Sequence, residues 1–246
     1  MSAAPRTERG TRTRARLLAV ATDVFAERGY HDASIVKITE AAEVGQGTFY
    51  LYFDSKQAIF EEVVRDLNSR VRRAMFEASS VEPARLEAER AGFRAFFRFT
   101  AENPALYRIM RQAEFVAPDV LHMHYETIAR GYVAGLVAAK ERGELAAEVD
   151  PEVAAWALMG IGELVGMRWV LWDRDGGTAA APDGGGAAVA AAAPDAGPPS
   201  PDAGPPSDDG TAARGTSARP PGLPPDVFDA TMRLVERALS PGGERR

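Results

Sequence analysis

The sequence predicts an all-α protein, with a small N-terminal helical bundle joined by a long helix to a larger C-terminal helical domain. Apolar residues recur every three or four positions along most of the chain, which is typical of amphipathic helices, whereas the alternating pattern of strands is nearly absent. Glycine, proline and small polar residues divide this pattern into about nine helix-length segments. Of the 246 residues, 46% are apolar, so the chain can bury a substantial core.

Four helices are predicted in the first third of the chain. Helix one covers about residues 11–28, and Gly29 follows it where a C-terminal cap belongs. Ser34 caps helix two, whose apolar residues have helical spacing. Helix three covers about residues 46–52, and a long helix four begins after Asp54.

Prolines separate the helices of the second half. Pro83, Pro104, Pro118 and Pro151 are each expected to open a helix, because proline is favoured in the first helical turn. A last, short amphipathic helix covers about residues 226–239. Helix eight, after Pro151, is apolar on nearly every side and must be covered on two sides. A second copy of the chain is the simplest candidate for the outer side.

The segment from Ser34 to Lys56 predicts two short helices joined by a tight turn, which is a helix-turn-helix. Its second helix carries small and polar residues followed by two tyrosines, a composition that allows close approach to a DNA major groove. Residues 1–16 hold five arginines and one glutamate, a local charge of +4, although the whole chain carries −6. Because salt screens distant charges, the local charge decides phosphate binding. Taken alone, this stretch is equally typical of a solvated, disordered arm.

Two sequence motifs resemble the TetR family of bacterial regulators. They are FAERGY at residues 25–30 and ITEAAEVGQGTFYLYFDSKQAIF at residues 38–60. The resemblance covers about residues 11–71, with cap, turn, aromatic residues and the following lysine in register. It implies a DNA-binding domain there, an effector pocket in the helices that follow, and a dimer formed by the last two helices.

Three positions depart from the family pattern. Glu43 stands at a turn position where glycine is common, Gly45 replaces the usual hydroxyl cap of helix three, and Gln46 stands where lysine is frequent. If the turn position is left-handed, a residue other than glycine costs about 1–2 kcal/mol there. These departures concern the operator sequence and the affinity, and they leave the expected docking mode unchanged.

Candidate DNA contacts lie along the helix-turn-helix. Gln46 can pair with adenine and Leu51 can touch a thymine methyl, so these two are the candidates for base readout. Tyr50, Tyr52 and Lys56 can reach backbone phosphates, although both tyrosines could instead belong to the core. The predicted DNA-binding residues are Ser34, Lys37, Gly45, Gln46, Gly47, Thr48, Tyr50, Leu51, Tyr52 and Lys56.

Helix eight contains two glycines four residues apart, a pattern that permits close helix contact. Together with its apolar surface and the returning last helix, this pattern favours a four-helix dimer interface. The predicted interface residues are Gly162, Gly166, Trp169 and Leu234.

A set of aromatic and methionine side chains could line a cavity among helices four to eight, although an ordinary packed core is the alternative. Few charged residues share these helix faces, so a ligand there would be small and mainly apolar, such as a fatty acyl or aromatic molecule. The predicted lining residues are Phe93, Phe97, Tyr107, Met110, Phe115, Tyr125, Trp156 and Met159.

The composition changes abruptly between residues 176 and 225 to Ala, Gly, Pro, Asp and Ser, which predicts disorder because little apolar surface can be buried. The predicted domains are therefore a basic flexible arm (1–10), a helix-turn-helix domain (11–71), a helical effector-binding and dimerisation domain (72–173), a disordered insertion (174–224) and a final dimerisation helix (225–240).

Several other classes of function have little support. The chain has no cysteine, so disulfides and thiolate metal sites are excluded. His122 and His124 point about 200° apart on a helix, so we expect no shared metal, and we expect no cofactor. Glu163 and Arg168 interrupt the most apolar stretch, which makes a membrane span improbable. We therefore expect a cytoplasmic protein.

These patterns predict a ligand-responsive transcriptional regulator that binds a palindromic double-stranded DNA operator as a homodimer. Repression is favoured, because occupying a promoter requires no contact with polymerase, and the effector is expected to release the DNA. The alternative is a helical protein-interaction module that has kept the small bundle without DNA binding. An enzyme is the third choice, because no nucleophile elbow or phosphate-binding glycine loop is found.

Overall fold

A computed structural model describes residues 7–172 and 222–241, and every regular element in these two ranges is a helix. This confirms the predicted all-α class. The helices of the described ranges are α1 (Glu8–Asp32), α2 (Ile35–Ala41), α3 (Gln46–Tyr50), α4 (Lys56–Ser79), α5 (Arg85–Glu102), α6 (Ala105–Val116), α7 (Pro118–Glu141), α8 (Pro151–Gly166), which continues as a π-helical turn (Met167–Leu171), and α9 (Pro225–Leu239).

The first helix begins earlier than the sequence predicts. The Thr7 hydroxyl accepts a hydrogen bond from the Gly10 backbone N–H at 3.1 Å, which caps the helix and makes residues 8–10 of the predicted flexible arm helical. Residues 1–6 of that arm lie outside the described residues. Gly29 has φ 77° and ψ 163°, so α1 is kinked where a C-terminal cap is predicted and continues for three more residues.

Side-chain caps fix the starts of three other helices. Ser34 caps α2, Ser55 caps α4, and the Asp150 carboxylate accepts from the N–H groups of Glu152 and Val153 at 2.9 Å at the start of α8. The predicted start of the fifth helix at Pro83 differs by two residues, because α5 begins at Arg85.

The buried apolar side chains form two clusters. The first joins α1 to α4 with α6 and includes Phe25, Phe49 and Phe60, all fully buried. The second joins α5, α7, α8 and α9. Since α6 shares its buried face with α1, the boundary predicted near residue 71 does not separate the two clusters.

Helix α9 packs on α5. Phe228 lies edge-on to Phe97 at a ring distance of 6.4 Å, and Arg90 pairs with both Asp229 and Glu236 at 3.0 Å. Leu223, within the predicted disordered insertion, is partly buried against the same cluster. Residues 173–221 of that insertion lie outside the described residues.

Candidate DNA-binding surface and effector cavity

The turn between α2 and α3 is held by backbone hydrogen bonds. The N–H of Glu43 donates to the carbonyl of Glu40 and the N–H of Val44 donates to the carbonyl of Thr39, both at 3.0 Å, which closes the end of α2. Glu43 has φ 51°, so this turn position lies in the left-handed region that favours glycine. Its carboxylate pairs with Arg16 at 2.6 Å, but both side chains are largely exposed, so the pair contributes little stability.

One buried residue anchors α3 to the bundle. Phe49 is fully buried and lies 5.7 Å from the Phe53 ring. Around this anchor Gln46, Gly47 and Tyr50 are exposed, so the opposite side of the short helix faces outward.

The outward side of α3 leaves room for close approach. A Cβ added at Gly47 would meet no atom within 4 Å, and the same holds at Gly45. Leu51 is 72% exposed and Tyr50 is 54% exposed, whereas Tyr52 is partly buried against the first cluster. Thr48 is half-buried. The geometry therefore groups Gln46, Gly47, Tyr50 and Leu51 as a surface that could enter a groove.

The two predicted lysine contacts are engaged within the protein. The Lys56 ammonium donates to the carbonyls of Tyr30 at 2.7 Å and Ala33 at 2.9 Å and lies 4.3 Å from the centre of the Tyr30 ring. The Lys37 ammonium donates to the Asp32 carbonyl at 2.8 Å. Carbonyls at a helix C-terminus carry partial negative charge, which explains why both cations lie at the end of α1. A phosphate contact by Lys56 stays a prediction, and it would compete with these bonds.

Sequence reasoning overlooked a side chain that ties α6 to α1. The amide oxygen of Gln112 accepts from the Tyr30 N–H at 2.7 Å, and its amide nitrogen donates to the Phe25 carbonyl at 3.1 Å. These bonds are on either side of the kink at Gly29. A single glutamine on an amphipathic helix gives no pattern from which such a contact could be predicted.

A cavity of about 70 Å³ lies among α4, α5, α6, α7 and α8, and we call it the apolar cavity. Five of the eight predicted residues line it. They are Phe93, Tyr107, Met110, Tyr125 and Met159.

The other three predicted lining residues lie elsewhere, which corrects the expected set. Phe97 is buried in the second cluster beside Phe228, and Phe115 is 83% exposed because it falls off the buried stripe of α6. Trp156 is 41% exposed, with its ring 6.3 Å from that of Tyr125. Aromatic character alone therefore predicted more lining residues than the cavity has.

Several polar groups also face the apolar cavity. The Tyr125 hydroxyl donates to the Glu163 carboxylate at 3.0 Å, and burial together with that carboxylate raises the pKa of Tyr125 above its usual range. Burial, with a smaller contribution from Arg72, lowers the pKa of His124 to about 4, so this imidazole is neutral near pH 7.

A second cavity of about 420 Å³, which we call the polar cavity, shares Met75, Ile128 and Tyr132 with the first. The Arg85–Glu89 ion pair lies in its wall. Burial raises the pKa of the Glu89 carboxyl, although the neighbouring Arg85 opposes the shift.

Gly162 and Gly166 face the interior, which corrects their predicted place at a dimer interface. A Cβ at Gly162 would lie 3.5 Å from the Phe96 ring, and a Cβ at Gly166 would overlap the Tyr107 hydroxyl. These glycines allow α5 and α6 to pack closely on α8. Of the other predicted interface residues, Trp169 is half-buried and Leu234 is 60% exposed.

A different stripe of α8 faces outward. Val153 is 68% exposed and Leu164 is 64% exposed, and Ala157 and Gly160 lie between them at helical spacing. A Cβ at Gly160 would meet no atom within 4 Å. The small residues that could permit close contact with another helix are therefore at positions 157 and 160.

The helix spanning residues 151–171 has the length and composition of a membrane span, which it shares with the core helices of globular proteins. It carries Glu163 and Arg168, and Glu163 is hydrogen-bonded inside the protein. Within residues 7–172 and 222–241, no three His, Asp or Glu side chains are grouped to hold a metal ion.

The helix-turn-helix and its flanking helices match a family model. Residues 17–63 match the model described as bacterial regulatory proteins, tetR family. The HTH-type transcriptional regulator YdgC of Bacillus subtilis, which is uncharacterized, is 34% identical over 159 residues, covering 62% of this chain and 78% of that protein. The chain belongs to the TetR family. It is thus a DNA-binding transcriptional regulator and not an enzyme.

Solved TetR-family structures have the same fold. A TetR-family regulator from Marinobacter aquaeolei VT8 superposes with a TM-score of 0.64 at 14% identity, covering 96% of this chain and 99% of that one. FadR from Bacillus subtilis, solved in complex with stearoyl-CoA, superposes with a TM-score of 0.59 at 22% identity, covering 65% of this chain and 88% of that one. At these identities the likeness extends to the fold alone.

Proposed function

We propose that this TetR-family regulator is a homodimeric repressor that binds a palindromic operator and releases it when a small, mainly apolar effector binds. The observation that carries the proposal is the outward side of α3, where Gln46, Gly47, Tyr50 and Leu51 are exposed around the buried Phe49. We assign base readout to Gln46 and Leu51 and phosphate contacts to Tyr50. The protein would act in the cytoplasm, on the chromosomal DNA.

Dimerisation is supported by the outer faces of α8 and α9. The α8 stripe of Val153, Ala157, Gly160 and Leu164 and the exposed Leu234 of α9 leave apolar surface uncovered within one chain. A two-fold axis through this surface would pair the α8 and α9 helices of two copies. The two α3 helices, one from each copy, would then lie about 34–36 Å apart, which is the spacing of successive major grooves on one side of the duplex.

The proposed effector site is the apolar cavity, and two connections lead from it to the DNA-binding bundle. Val71 and Met75 of α4 line the cavity, and α4 also carries the buried side chains that hold the bundle. Tyr107 and Met110 of α6 line it as well, and on the same helix Gln112 bonds to the backbone of α1. A ligand that moved α4 or α6 would therefore reorient the recognition helices. It shifts the equilibrium only by its difference in affinity for the two arrangements.

The first test measures DNA binding by fluorescence anisotropy, with the full chain and the DNA upstream of its own gene. We expect salt-sensitive, sequence-selective binding. Gln46→Ala should change base preference more than non-specific affinity, whereas Tyr50→Phe should weaken binding to all sequences alike. Unchanged affinity and selectivity in both variants would show that α3 does not contact the DNA.

The second test addresses the dimer. Leu164→Arg places a charge on the outer stripe of α8, and we expect sedimentation as a monomer and loss of operator binding. Val81→Arg, at a side chain that is 76% exposed after α4, is the matched control and should remain dimeric. A wild-type chain that sediments as a monomer at every concentration would contradict the two-fold arrangement.

A further inference from the structure

Two side chains that line the apolar cavity each carry a buried polar atom with no hydrogen-bond partner among the residues that the structure describes. These atoms are the hydroxyl oxygen of Tyr107 and Nδ1 of His124. Both side chains line the cavity, and they are only 5% and 6% exposed. Buried polar atoms are almost always paired in folded proteins, so two unpaired atoms in one cavity wall indicate a ligand that pairs with them.

The Tyr107 hydroxyl is held in place by its surroundings. It lies against the backbone of Gly166, where any side chain would overlap it, and its ring lies edge-on to Phe96 at 6.4 Å. The nearby Thr100 hydroxyl makes a smaller contribution that lowers the pKa of Tyr107, but this hydroxyl donates its proton to the Phe97 carbonyl at 3.1 Å, and its geometry does not pair it with the Tyr107 hydroxyl. Burial raises the pKa of Tyr107 well above its usual range, so the hydroxyl keeps its proton and can donate it.

His124 is neutral for the reason given above, and a neutral imidazole offers one donor and one acceptor nitrogen. Its Nδ1 can therefore accept from a ligand hydroxyl or, in the other tautomer, donate to a ligand carbonyl. Together with the Tyr107 hydroxyl, it forms a site that suits a group without charge.

The charged groups of the same wall do not favour an ionised ligand. Glu163 is already bonded to the Tyr125 hydroxyl, and Arg111 is exposed at the edge, where its guanidinium contacts Met167 Sδ at 3.1 Å. The rest of the wall is apolar, so an ionised group would lose its hydration without gaining a buried counter-charge.

Methionines make the wall adaptable. Four of the seven methionines in the chain line this cavity, and unbranched thioether side chains repack easily around different shapes. A cavity of about 70 Å³ could widen in this way to hold a larger molecule. The four are Met75, Met110, Met159 and Met167.

We propose that the apolar cavity binds an apolar molecule carrying one uncharged hydrogen-bonding group, a carbonyl or a hydroxyl, which pairs with Tyr107 and His124. This inference rests on the proposed effector role of the cavity and adds the chemical class of the ligand. Tyr107 donates to the oxygen of that group, and His124 forms the second bond through Nδ1. The aromatic rings and methionines enclose the remainder of the molecule.

The test uses three probes of similar shape: acetophenone, which has a neutral carbonyl; α-methylstyrene, a hydrocarbon; and benzoate, an anion. Binding to the full chain is followed by NMR of ¹³C-labelled methionine methyl groups. The four lining methionines report on the cavity, and Met232, fully buried in the second cluster, serves as the internal control. We expect acetophenone to shift the lining signals at the lowest concentration and to leave Met232 unchanged.

Two variants identify the polar contacts. Tyr107→Phe and His124→Leu should each weaken acetophenone binding about threefold to tenfold, the effect of one hydrogen bond, and should change α-methylstyrene binding by less than about twofold. Tyr107→Phe removes an unpaired hydroxyl, so the midpoint of thermal unfolding without probe should stay unchanged or rise. If the hydroxyl had only a structural role, Tyr107→Phe would lower that midpoint. The ratio between the Kd values for acetophenone and α-methylstyrene would then stay the same.

Three results would overturn the proposal: equal binding of ketone and hydrocarbon, tighter binding of benzoate, or no shift of the lining methionines with any probe. Operator binding measured alongside separates this inference from the proposed function. If a hydrocarbon binds as tightly as the ketone and still releases DNA, effector control stands and the polar pairing is wrong. If acetophenone binds through Tyr107 while operator affinity is unchanged, the ligand class stands and effector control is wrong.

Discussion

The outward side of α3, where we propose DNA binding, and the apolar cavity differ in how their side chains are exposed. In α3 one buried ring, Phe49, fixes a short helix whose other side chains are mostly exposed. Around the cavity nearly every lining side chain is buried or half-buried, and polar atoms such as the Tyr107 hydroxyl are buried without a partner. A surface that binds DNA needs exposed groups on a rigid support, whereas a ligand cavity needs an enclosed wall that can rearrange. The two regions should therefore respond differently to substitution.

The largest expected effect separates the two regions. Phe49→Ala removes the only fully buried side chain of α3, and we expect a loss of about 3–5 kcal/mol of unfolding free energy. Operator binding should be abolished, because α3 loses its anchor. Chemical denaturation followed by circular dichroism, with anisotropy for DNA, measures both. A variant that lost less than about 1 kcal/mol would show that α3 does not depend on this ring.

Acid should destabilise the cavity region through His124. Burial lowers its pKa in the folded protein to about 4, below the value of about 6.5 for a solvated imidazole, so the unfolded chain binds this proton more readily. The contribution of the neutral imidazole is complete above about pH 6.5 and is lost as the pH falls towards 4, by about 3 kcal/mol in all. Denaturation midpoints of wild type and His124→Leu between pH 4 and 7 test this. The difference between them should narrow or reverse at low pH, and parallel profiles would contradict the assignment.

Gly166→Ala should cost about 1–3 kcal/mol, since the new Cβ overlaps the Tyr107 hydroxyl. In the background of Tyr107→Phe the same substitution should cost less, because the overlapping oxygen is gone. Thermal unfolding of the two single variants and the double variant gives the coupling free energy between Gly166→Ala and Tyr107→Phe. Additive effects would mean that the hydroxyl and the glycine are not in contact. Gly131→Ala, at open space in α7 and away from the outer stripe of α8, is the control and should not destabilise the protein.

The smallest effect is expected at the turn. Glu43→Gly removes the left-handed strain at φ 51° and should stabilise the protein by about 1 kcal/mol or less, because glycine also loses more entropy on folding. Glu43→Ala keeps the strain and removes the exposed ion pair with Arg16, so it should change stability by only a few tenths of a kcal/mol. Equal stability of the two variants would show that the turn stores no strain.

The helices and the helix-turn-helix could be predicted from the sequence because the residues that specify them are close together in the chain. Ser34 caps α2 where predicted, and Pro151 lies in the first turn of α8 as expected. Glu43 stands where glycine is common in the family, and this position has a positive φ. Each of these features depends on a few neighbouring residues and on the 3.6-residue period. The resemblance to the TetR family is local as well, since it rests on two short motifs at residues 25–30 and 38–60.

Local signals did not determine which helix face meets which. Gly162 and Gly166 fit a dimer motif by spacing, yet they face α5 and α6, and Phe115 has the right chemistry for a cavity but lies on the exposed side of its helix. The phosphate contact of Lys56 stays a prediction, but the sequence did not predict that its ammonium donates to carbonyls at the end of α1.

The sequence by itself therefore determined most elements of this regulator: its helices, some of their caps and its helix-turn-helix motif. Only the tertiary structure decided that the Tyr107 hydroxyl and His124 Nδ1 are buried without a partner, that Gln112 links α6 to α1, and which stripe of α8 faces outward. The physical reason is the range of the interactions. Capping and periodicity act within a turn or two of one helix. A cavity, an interface or the hydrogen bonds from Gln112 to α1 depend on side chains that are distant in sequence and meet only when several helices pack.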